Sequence, residues 1–217
     1  MPAEVDLHVH TKYSFDSLLE PRTIIKSALK RGLSAIAITD HNTLKGSLAT
    51  LREASSIQDL MVILGIEIRT NQGDIVGLFV QNEIDSREFY EVVEEIKRQG
   101  GIAILSHPYR GHEKPKSIIK YVDAVEALNG RCLPNENIKA KKLAKVTNTP
   151  TVAGSDAHFS FEIGCVRTRF CKELSDTEEL RRAILNGDRL LIGKEAPMLV
   201  HALSFLVEII KRVKKIA

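Results

Sequence analysis

Tryptophan is absent from this chain of 217 residues, and aromatic residues make up only 5% of it. Because 43% of the residues are nevertheless hydrophobic, the core must consist mainly of Ile, Leu, Val and Ala. Aliphatic segments of this kind are typical of strands buried on both faces, as in a parallel sheet covered by helices. The scarcity of aromatic residues therefore favours an α/β protein.

Cysteine is also scarce: the chain has Cys132, Cys165 and Cys171, and none of them forms a C-x-x-C pair. Such a set argues against a disulfide framework and predicts a reducing, cytoplasmic environment. We see no signal-peptide pattern, and no apolar run reaches the roughly 20 residues of a membrane-spanning helix. The net charge of +3 is too small to indicate nucleic acid binding by itself.

Segments with the patterns of strands and helices alternate along the chain, with short connections between them. Strands are predicted at 5–9, 33–39, 60–69, 75–80, 102–105, 122–127, 150–153 and 189–192, and helices at 20–30, 44–55, 86–99, 115–121, 135–147, 176–186 and 199–216. This alternation is typical of repeated βαβ units around a parallel sheet or barrel. Since no linker or internal repeat is visible, we expect one domain over residues 1–217.

The first predicted strand carries two histidines, His8 and His10, at the end of an apolar run. Side chains two residues apart on a strand point the same way, so both imidazoles would lie on one face. Two neutral imidazoles side by side can bind a divalent transition metal. Taken alone, the pair is equally consistent with a packing role.

Further residues of metal-ligand type stand at the carboxyl ends of later strands: Asp40, His41, Glu67, His107, Asp156 and His158. In parallel α/β folds these strand ends converge on one rim, which holds the active site. Five of the seven histidines occupy such positions, which favours a metal site over packing. The set exceeds the ligands of one zinc ion, so we expect two or three ions, and its mixed nitrogen and oxygen atoms favour Mn, Zn or Fe.

These motifs, in this order, resemble the PHP (polymerase and histidinol phosphatase) family. They are H-x-H-x5-D (His8, His10, Asp16), T-D-H (Asp40, His41), G-I-E (Glu67), S-H-P (His107) and G-S-D-x-H (Asp156, His158). The resemblance implies a distorted (β/α)7 barrel with a trinuclear metal centre at the carboxyl ends of its strands. It assigns His8, His10, Glu67 and Asp156 to one ion, Glu67 and His107 to a second, and Asp16, His41 and His158 to a third. Asp40 would be a ligand or a group that orients one.

The chain departs from many members of that family between the S-H-P and G-S-D motifs. Only 48 residues separate His107 from Asp156, so we expect no inserted subdomain and a more open site. Some relatives have an additional ligand after S-H-P. Glu126 and Asn129 are both candidates for that position.

The resemblance also implies the reaction, which is hydrolysis of a phosphate ester by a metal-bound hydroxide. We predict a small phosphorylated metabolite or nucleotide as substrate, with Arg131 and His158 as catalytic residues. Arg131 would bind the phosphate, and Arg110 is a second candidate for that role. His112 is a candidate proton donor, although each of these three could equally be a solvated side chain. Cys132 could approach a metal, but a buried inert thiol is the simpler interpretation.

Three other functions compete with this one. A nuclease or 3′-end trimming activity on oligonucleotides or DNA would suit an open site, but no stripe of Lys and Arg with interleaved aromatics is present. A scaffold without activity is disfavoured because the ligand set is nearly intact. Hydrolysis of a C–N bond is compatible with the same ligands.

The last predicted helix, 199–216, is amphipathic and has a basic end formed by Lys211, Arg212, Lys214 and Lys215. Cations are favourable at a helix C-terminus, so we expect this helix to close the barrel. A membrane-surface helix or a dimer contact is the alternative.

Overall fold

The computed structural model describes residues 2–112, 114–197 and 199–216, with the side chains of 214–216 left aside. The strands are β1 (Glu4–Val9), β2 (Ala35–Ile38), β3 (Met61–Thr70), β4 (Gly73–Leu78), β5 (Ile102–Leu105), β6 (Ala124–Asn129), β7 (Thr151–Gly154), β8 (Val166–Phe170) and β9 (Arg189–Gly193). The α-helices are α1 (Pro21–Lys30), α2 (Lys45–Glu53), α3 (Phe89–Arg98), α4 (Pro115–Ile118), α5 (Pro134–Thr147), α6 (Thr177–Asn186) and α7 (Leu199–Ile216). The predicted alternation of strands and helices is therefore confirmed.

Strands β1 to β7 follow one another in order around a nearly closed barrel. The sheet runs β7-β6-β5-β4-β3-β2-β1-β8-β9, so β8 and β9 extend it beyond β1. The chain after β7 returns to β1 through a parallel bridge between Val9 and Ala157, where the His10 amide donates to the Ala157 carbonyl over 3.0 Å. The distorted (β/α)7 barrel expected from the sequence is confirmed, with two further strands at its edge.

Glycine at position 154 permits the close approach of β7 to β1. A Cβ atom there would lie 2.4 Å from the His8 Cβ and 2.9 Å from the Glu126 Oε1. The neighbouring Thr168 on β8 also joins β7, because its hydroxyl accepts from the Ala153 amide over 2.8 Å. The barrel therefore closes beside the strand that carries the two histidines.

The sheet is not uniformly parallel, which corrects the sequence-based expectation. β4 pairs antiparallel with β3 and with β5, and β8 pairs antiparallel with β1 and β9. A tight turn between Thr70 and Gly73 joins β3 to β4. β8 was not predicted, because its sequence VRTRF alternates arginine with apolar residues and lacks the aliphatic run of the barrel strands.

The helices bury apolar faces against this sheet, as the periodicity predicts. On α3, Phe89, Val92, Val93 and Ile96 are buried at positions i, i+3, i+4 and i+7. The core around them is aliphatic, in agreement with the composition.

The C-terminal helix α7 packs on the barrel through Val200, Ser204 and Val207, which are buried. The side chains of Lys214 and Lys215, part of its expected basic end, lie outside the described structure. No helix in the described ranges is both long and apolar enough to cross a membrane.

Among the described residues between β5 and β7 stand α4, a 3-10 turn at Ile119–Tyr121, β6 and α5. The absence of an inserted subdomain stays a prediction. The single domain over 1–217 remains a prediction, and Met1, Glu113, Met198 and Ala217 lie outside the described residues.

Candidate metal centre

The carboxyl ends of five barrel strands deliver imidazole and carboxylate groups to one rim. The residues lie at or near these strand ends: His8 and His10 at the end of β1, Asp40 and His41 shortly after β2, Glu67 in the last part of β3, His107 shortly after β5, and Asp156 and His158 shortly after β7. Apart from His41, these residues are at most 4% exposed. The strand order thus gathers residues from five separate parts of the sequence.

Three groups of these side chains have the geometry of metal sites. They are His10, Asp16, His41 and His158; His8, His10 and Asp156; and Glu67, Asp74 and His107. Within each group, one potential ligand atom per residue lies within 4.8 Å of the others. Eight of the nine predicted ligands are brought together here.

Glu67 connects the groups. Its Oε2 lies 3.4 Å from the Nε2 atoms of both His8 and His10, and its Oε1 lies 3.0 Å from the His107 Nε2. A carboxylate in this position can bridge two ions. The arrangement matches the part that the family resemblance assigns to Glu67.

Hydrogen bonds on the far side of the rings orient the histidines. The Nδ1 atoms of His107 and His158 donate to the carbonyl oxygens of Arg110 and Asp156, over 3.1 and 2.8 Å. His8 Nδ1 similarly faces the Glu126 carboxylate at 3.1 Å. Since a carbonyl oxygen only accepts, Nδ1 carries the proton and the Nε2 lone pair points into the centre, as in metal-ligating histidines.

The pKa values of His10 and Asp156 also suit a cation site. Burial lowers the pKa of His10 to about 3, and the neighbouring His158 and His41 act in the same direction. Burial opposes ionisation of Asp156, but Arg110 and His8 outweigh it and hold the Asp156 pKa well below its usual range. A neutral imidazole beside ionised carboxylates is the form in which these groups bind metals.

The carboxylates also act on His41. Burial would lower the pKa of His41, but Glu67 and Asp16 raise it to about 9. Among the described residues, the buried Asp16 Oδ1 has no hydrogen-bond partner. An orphaned carboxylate oxygen beside imidazoles is an open position for a cation, so the residues present fit a group of divalent ions.

Two of the ligands occupy left-handed backbone conformations. Asp156 has φ of 55° and His107 has φ of 24°. Such conformations cost about 1–3 kcal/mol in non-glycine residues and cluster at functional sites. Here each one turns the chain sharply after its strand and directs the side chain into the centre.

Asp40 is the predicted ligand that the structure does not bring into any of the three groups. Its Oδ1 accepts from the Thr11 amide and its Oδ2 from the Thr11 hydroxyl, both over 2.6 Å. Burial raises the Asp40 pKa to about 6. The contacts favour the alternative left open above, in which Asp40 braces the loop that carries Asp16.

Asp74 was missed by the sequence analysis. It lies at the start of β4, in one group with Glu67 and His107. Because β4 runs antiparallel to its neighbours, its amino end lies at the rim where the parallel strands have their carboxyl ends. Polar residues at the start of a strand that follows a tight hairpin were the available signal.

Neither candidate for the additional ligand belongs to the three groups found in the described residues. Glu126 accepts from the His107 amide over 2.9 Å and from Ser106 over 3.1 Å, besides its contact with His8. The Asn129 amide donates to Glu126 and Asp156 over 3.0 and 3.2 Å. Both residues therefore form hydrogen bonds to predicted ligands and hold them in place.

The two candidate arginines differ in their surroundings. Arg131 is 5% exposed, and its Nε and Nη2 donate to both oxygens of Glu162 over 3.0 and 2.8 Å. Its Nη1 donates to Ser204 on α7 over 2.8 Å. These contacts take three of the five N–H groups of Arg131, and its part in binding phosphate stays a prediction.

Arg110 forms an ion pair with the Asp156 carboxylate, and its Nη1 lies 3.4 Å from the Asn129 Oδ1. About a third of its side chain is exposed. His112 turns its Nε2 to the Ser106 carbonyl at 2.9 Å, and burial lowers its pKa to about 4. Burial also raises the pKa of the Cys132 thiol, as expected for an inert cysteine.

A cavity of about 650 Å³ opens over the centre. Arg69, Arg110, Arg131 and Arg212 contribute positive charge to its wall, and Phe15 contributes an aromatic ring. A second cavity of about 790 Å³ lies at the opposite end of the barrel, between Glu4, Arg31 and Arg169, and has no histidine in its wall. The chemistry therefore favours the smaller cavity as the active site.

Comparison with known proteins agrees with this geometry. Residues 6–147 match the PHP domain family, and residues 134–188 match a PHP-associated family. The uncharacterized protein MJ0417 of Methanocaldococcus jannaschii is 32% identical over 210 residues, which cover 88% of this chain and 83% of that protein. The uncharacterized protein MJ1587 of the same organism is 44% identical over 119 residues, or 49% of this chain and 68% of that protein.

Among solved structures, a similar fold occurs in a two-domain protein from Bacteroides vulgatus that contains a predicted PHP-like metal-dependent phosphoesterase. The TM-score is 0.78 at 17% identity, covering 95% of this chain and 70% of that one. At this identity the likeness concerns the fold. With the family match over more than half of its length, the chain belongs to the PHP domain family.

Proposed function

We propose that this protein is a metal-dependent hydrolase of phosphate esters, acting on a small phosphorylated metabolite or nucleotide. One observation carries the proposal: buried imidazoles from different strands turn their Nε2 atoms toward shared carboxylates, while their Nδ1 atoms are held by acceptors outside the centre. Because the Nδ1 atoms carry the protons, the Nε2 lone pairs are left free to bind cations.

Two or three divalent ions, of the Mn, Zn or Fe type, would be held by the three groups of ligands. When bound, they supply Lewis acidity toward phosphoryl oxygens and a nucleophilic water at neutral pH. His158 serves as a ligand and is the proposed catalytic histidine, since its Nε2 lies 2.8 Å from Asp16 at the cavity wall.

Arg110 is the better candidate for binding the phosphate. Both arginines line the cavity, but the Arg110 side chain is about a third exposed and lies beside Asp156, and a planar guanidinium can hold two phosphate oxygens at once. Arg131 would act as a positioning residue instead. Its partner Glu162 accepts from the His158 amide over 2.9 Å, so the buried Arg131–Glu162 pair holds the backbone of a ligand.

The cavity supports a small substrate. Its volume of about 650 Å³ is within the roughly 300–1,000 Å³ of small-molecule sites. Phe15 is the aromatic residue of its wall besides the histidines, whereas channels for single-stranded nucleic acid have several stacking platforms. The polynucleotide alternative therefore has less support.

Elemental analysis and a hydrolase assay test the proposal together. We expect two or three transition ions per chain, and hydrolysis of p-nitrophenyl phosphate that disappears on chelation and returns with Mn²⁺ or Zn²⁺. Asp156→Asn should abolish turnover with a near-native circular dichroism spectrum, and the exposed Asp59→Asn is the matched control. Turnover by a fully metal-free preparation would contradict the mechanism, and turnover of amides alone would replace the phosphate ester by a C–N bond.

A comparison of phosphomonoester and phosphodiester substrates distinguishes the role of Arg110 from that of Arg131. Arg110→Met should raise KM for phosphomonoesters at least tenfold, with a much smaller effect on diesters, because a terminal phosphate loses its guanidinium. Arg131→Met should instead lower stability and kcat for both substrate types. Equal changes for both substrates in the Arg110 variant would reject its role in phosphate binding.

A further inference from the structure

The loop between β1 and α1 carries the metal-site residue Asp16 and has no helix or strand of its own. Asp16 Oδ2 lies 2.8 Å from the His158 Nε2 and 3.4 Å from the His41 Nε2. Ser17 fastens the base of the loop, because its hydroxyl lies within 3.1 and 3.2 Å of the carbonyl oxygens of His10 and His158. Where Asp16 points therefore depends on how the outer part of the loop is held.

Lys211 of α7 holds that outer part. Its ammonium donates to the carbonyl oxygen of Lys12 over 2.6 Å and to that of Ser17 over 2.9 Å. A further short hydrogen bond reaches the Ser14 carbonyl oxygen. These acceptors lie on both sides of Asp16 along the chain, and the helix that provides the cation begins more than 180 residues later.

We infer that Lys211 is a positioning residue for the ion held by Asp16, His41 and His158, which makes α7 a component of the metal centre. The inference rests on the proposed metal centre. Three carbonyl oxygens match the three N–H donors of an ammonium group. An apolar side chain at this position would leave these carbonyls without their donor and free the loop. Loss of groups that support metal ligands typically weakens metal affinity about 10–100-fold.

Mn²⁺ titration of the full-length apoprotein, by calorimetry and by electron paramagnetic resonance, tests this inference without any substrate. Lys211→Met should weaken one class of sites about 10–100-fold and leave the others unchanged, and Lys211→Arg should restore part of the affinity. Lys12→Met is the matched control, because it removes an exposed ammonium from the same loop and leaves the loop's carbonyl oxygens in place. Wild-type affinity for every ion in the Lys211→Met protein would overturn the inference.

A double-mutant cycle separates positioning from general stability. In an Asp16→Asn background, Lys211→Met should have little further effect on Mn²⁺ affinity, because the ligand it positions is already lost. Full additivity of the two changes would reject the coupling. Hydrogen exchange of the amides at 12–17 should also be faster in Lys211→Met, and this readout is meaningful even if the wild-type protein binds no ion, which would refute the proposed function alone.

The outer face of α7 supports a second, independent inference. Leu199, Leu203, Leu206, Ile210 and Val213 follow one another at spacings of four and three residues, and each is between 39 and 71% exposed. This is the spacing of the apolar seam in a two-stranded coiled coil. Phe205 and Ile209 widen the seam.

The outer face of α7 is better suited to a protein partner than to a membrane surface. The seven apolar side chains together expose on the order of 600 Å², near the upper limit for a monomer's largest apolar patch. One such face on each partner approaches the roughly 800 Å² per partner of a stable interface. Membrane-surface helices have Lys and Arg beside the apolar face. Of the basic side chains described on α7, Lys211 turns inward and Arg212 pairs with Glu208.

We propose that a second copy of this chain covers the outer face, with the two α7 helices packed across a twofold axis. Sedimentation velocity should show a dimer at micromolar concentration. Leu203→Glu with Ile210→Glu should produce a monomer, because both changes place charge in the seam, and Val146→Glu, at an exposed site on α5, is the control. A monomeric wild-type protein, a dimer that survives the double change, or flotation of the protein with phosphatidylserine vesicles would each overturn this proposal.

Discussion

Glu126 shows how a side chain outside the three ligand groups can orient the predicted metal ligands. Its two oxygens accept from the His8 ring, the Ser106 hydroxyl, the His107 amide and the Asn129 amide. Burial would raise its pKa, but His8 outweighs that effect and lowers it. The ionised carboxylate is therefore part of the support of two ligands.

Glu126→Gln should weaken metal binding without changing the set of ligands. The amide nitrogen of glutamine would face hydrogen-bond donors, so His8 or His107 would lose its fixed orientation. We expect affinity for at least one ion to fall about 10–100-fold, measured by Mn²⁺ titration. The exposed Glu94→Gln should bind as wild type does, and an unchanged affinity in Glu126→Gln would show that the orientation of His8 does not depend on this carboxylate.

Asp74 provides a second test at the residue scale. Asp74→Asn should lower the number of tightly bound ions by one, because one of the three groups loses its second carboxylate. Elemental analysis after gel filtration gives the count. Arg69→Gln is the control, since it removes the 3.4 Å ion pair with Asp74 and keeps the carboxylate. Full metal content in Asp74→Asn would exclude Asp74 as a ligand.

At the scale of elements, the strand β8 is attached to the barrel by charge as well as by backbone pairing. Glu4 on β1 forms ion pairs with Arg167 and Arg169 on β8. Partial burial opposes ionisation of Glu4, but the hydrogen bonds from the two arginines outweigh it and lower its pKa below 4.5. This cluster attaches β8 and β9 to the first strand.

The lowered pKa of Glu4 predicts a pH dependence of stability. The ionised form favours the folded state, so its contribution is complete above about pH 4.5 and is lost as the pH falls through the lower folded-state pKa. Glu4→Gln should reduce the free energy of unfolding by about 1 kcal/mol at pH 7. The deficit should shrink on acidification, as followed by urea denaturation of the apoprotein.

A matched surface pair gives the control for this prediction. Glu20 pairs with Lys12 at 2.8 Å, with both side chains about half exposed, and Glu20→Gln should change stability by well under 1 kcal/mol. A deficit in Glu4→Gln that persists unchanged at low pH would mean that the charge of Glu4 is not its cause.

At the scale of the whole molecule, closure of the barrel and assembly of the metal centre are the same event. β7 reaches β1 only because position 154 has no side chain, and the same contact places Asp156 beside His8 and His10. The free energy of unfolding and the affinity for metal should therefore change together when the contact between β7 and β1 is altered.

Gly154→Ala should reduce both quantities. The added methyl group would overlap the His8 Cβ, and relief of that overlap costs about 2 kcal/mol of unfolding free energy and displaces a ligand. Gly32→Ala is the comparison: its φ of +70° strains the new residue by about 1 kcal/mol, but nothing lies within 4 Å of the added atom. Metal affinity should fall only in Gly154→Ala, and an equal fall in both variants would contradict the coupling.

The composition, the alternation of elements and the motifs of the candidate centre were readable from the sequence. Apolar periodicity indicates which side of a strand is buried, and polar residues at the ends of strands indicate a site at that edge of the sheet. His8, Glu67, His107 and Asp156 therefore stood out individually. The order of the elements predicted a parallel sheet or barrel, and the resemblance to the PHP family implied the (β/α)7 barrel. Local physical chemistry is sufficient for these inferences, because each depends on residues close together in the chain.

Tertiary structure alone decided which groups meet and which of them face the cavity. Asp74 joined the centre because β4 runs antiparallel, and Asp40 turned to Thr11 because that loop folds back over β2. Arg131 forms an ion pair with Glu162, and Arg110 forms one with Asp156. Strand direction and partners more than 25 residues apart depend on how the whole barrel packs, and the local pattern around a residue has no information about them.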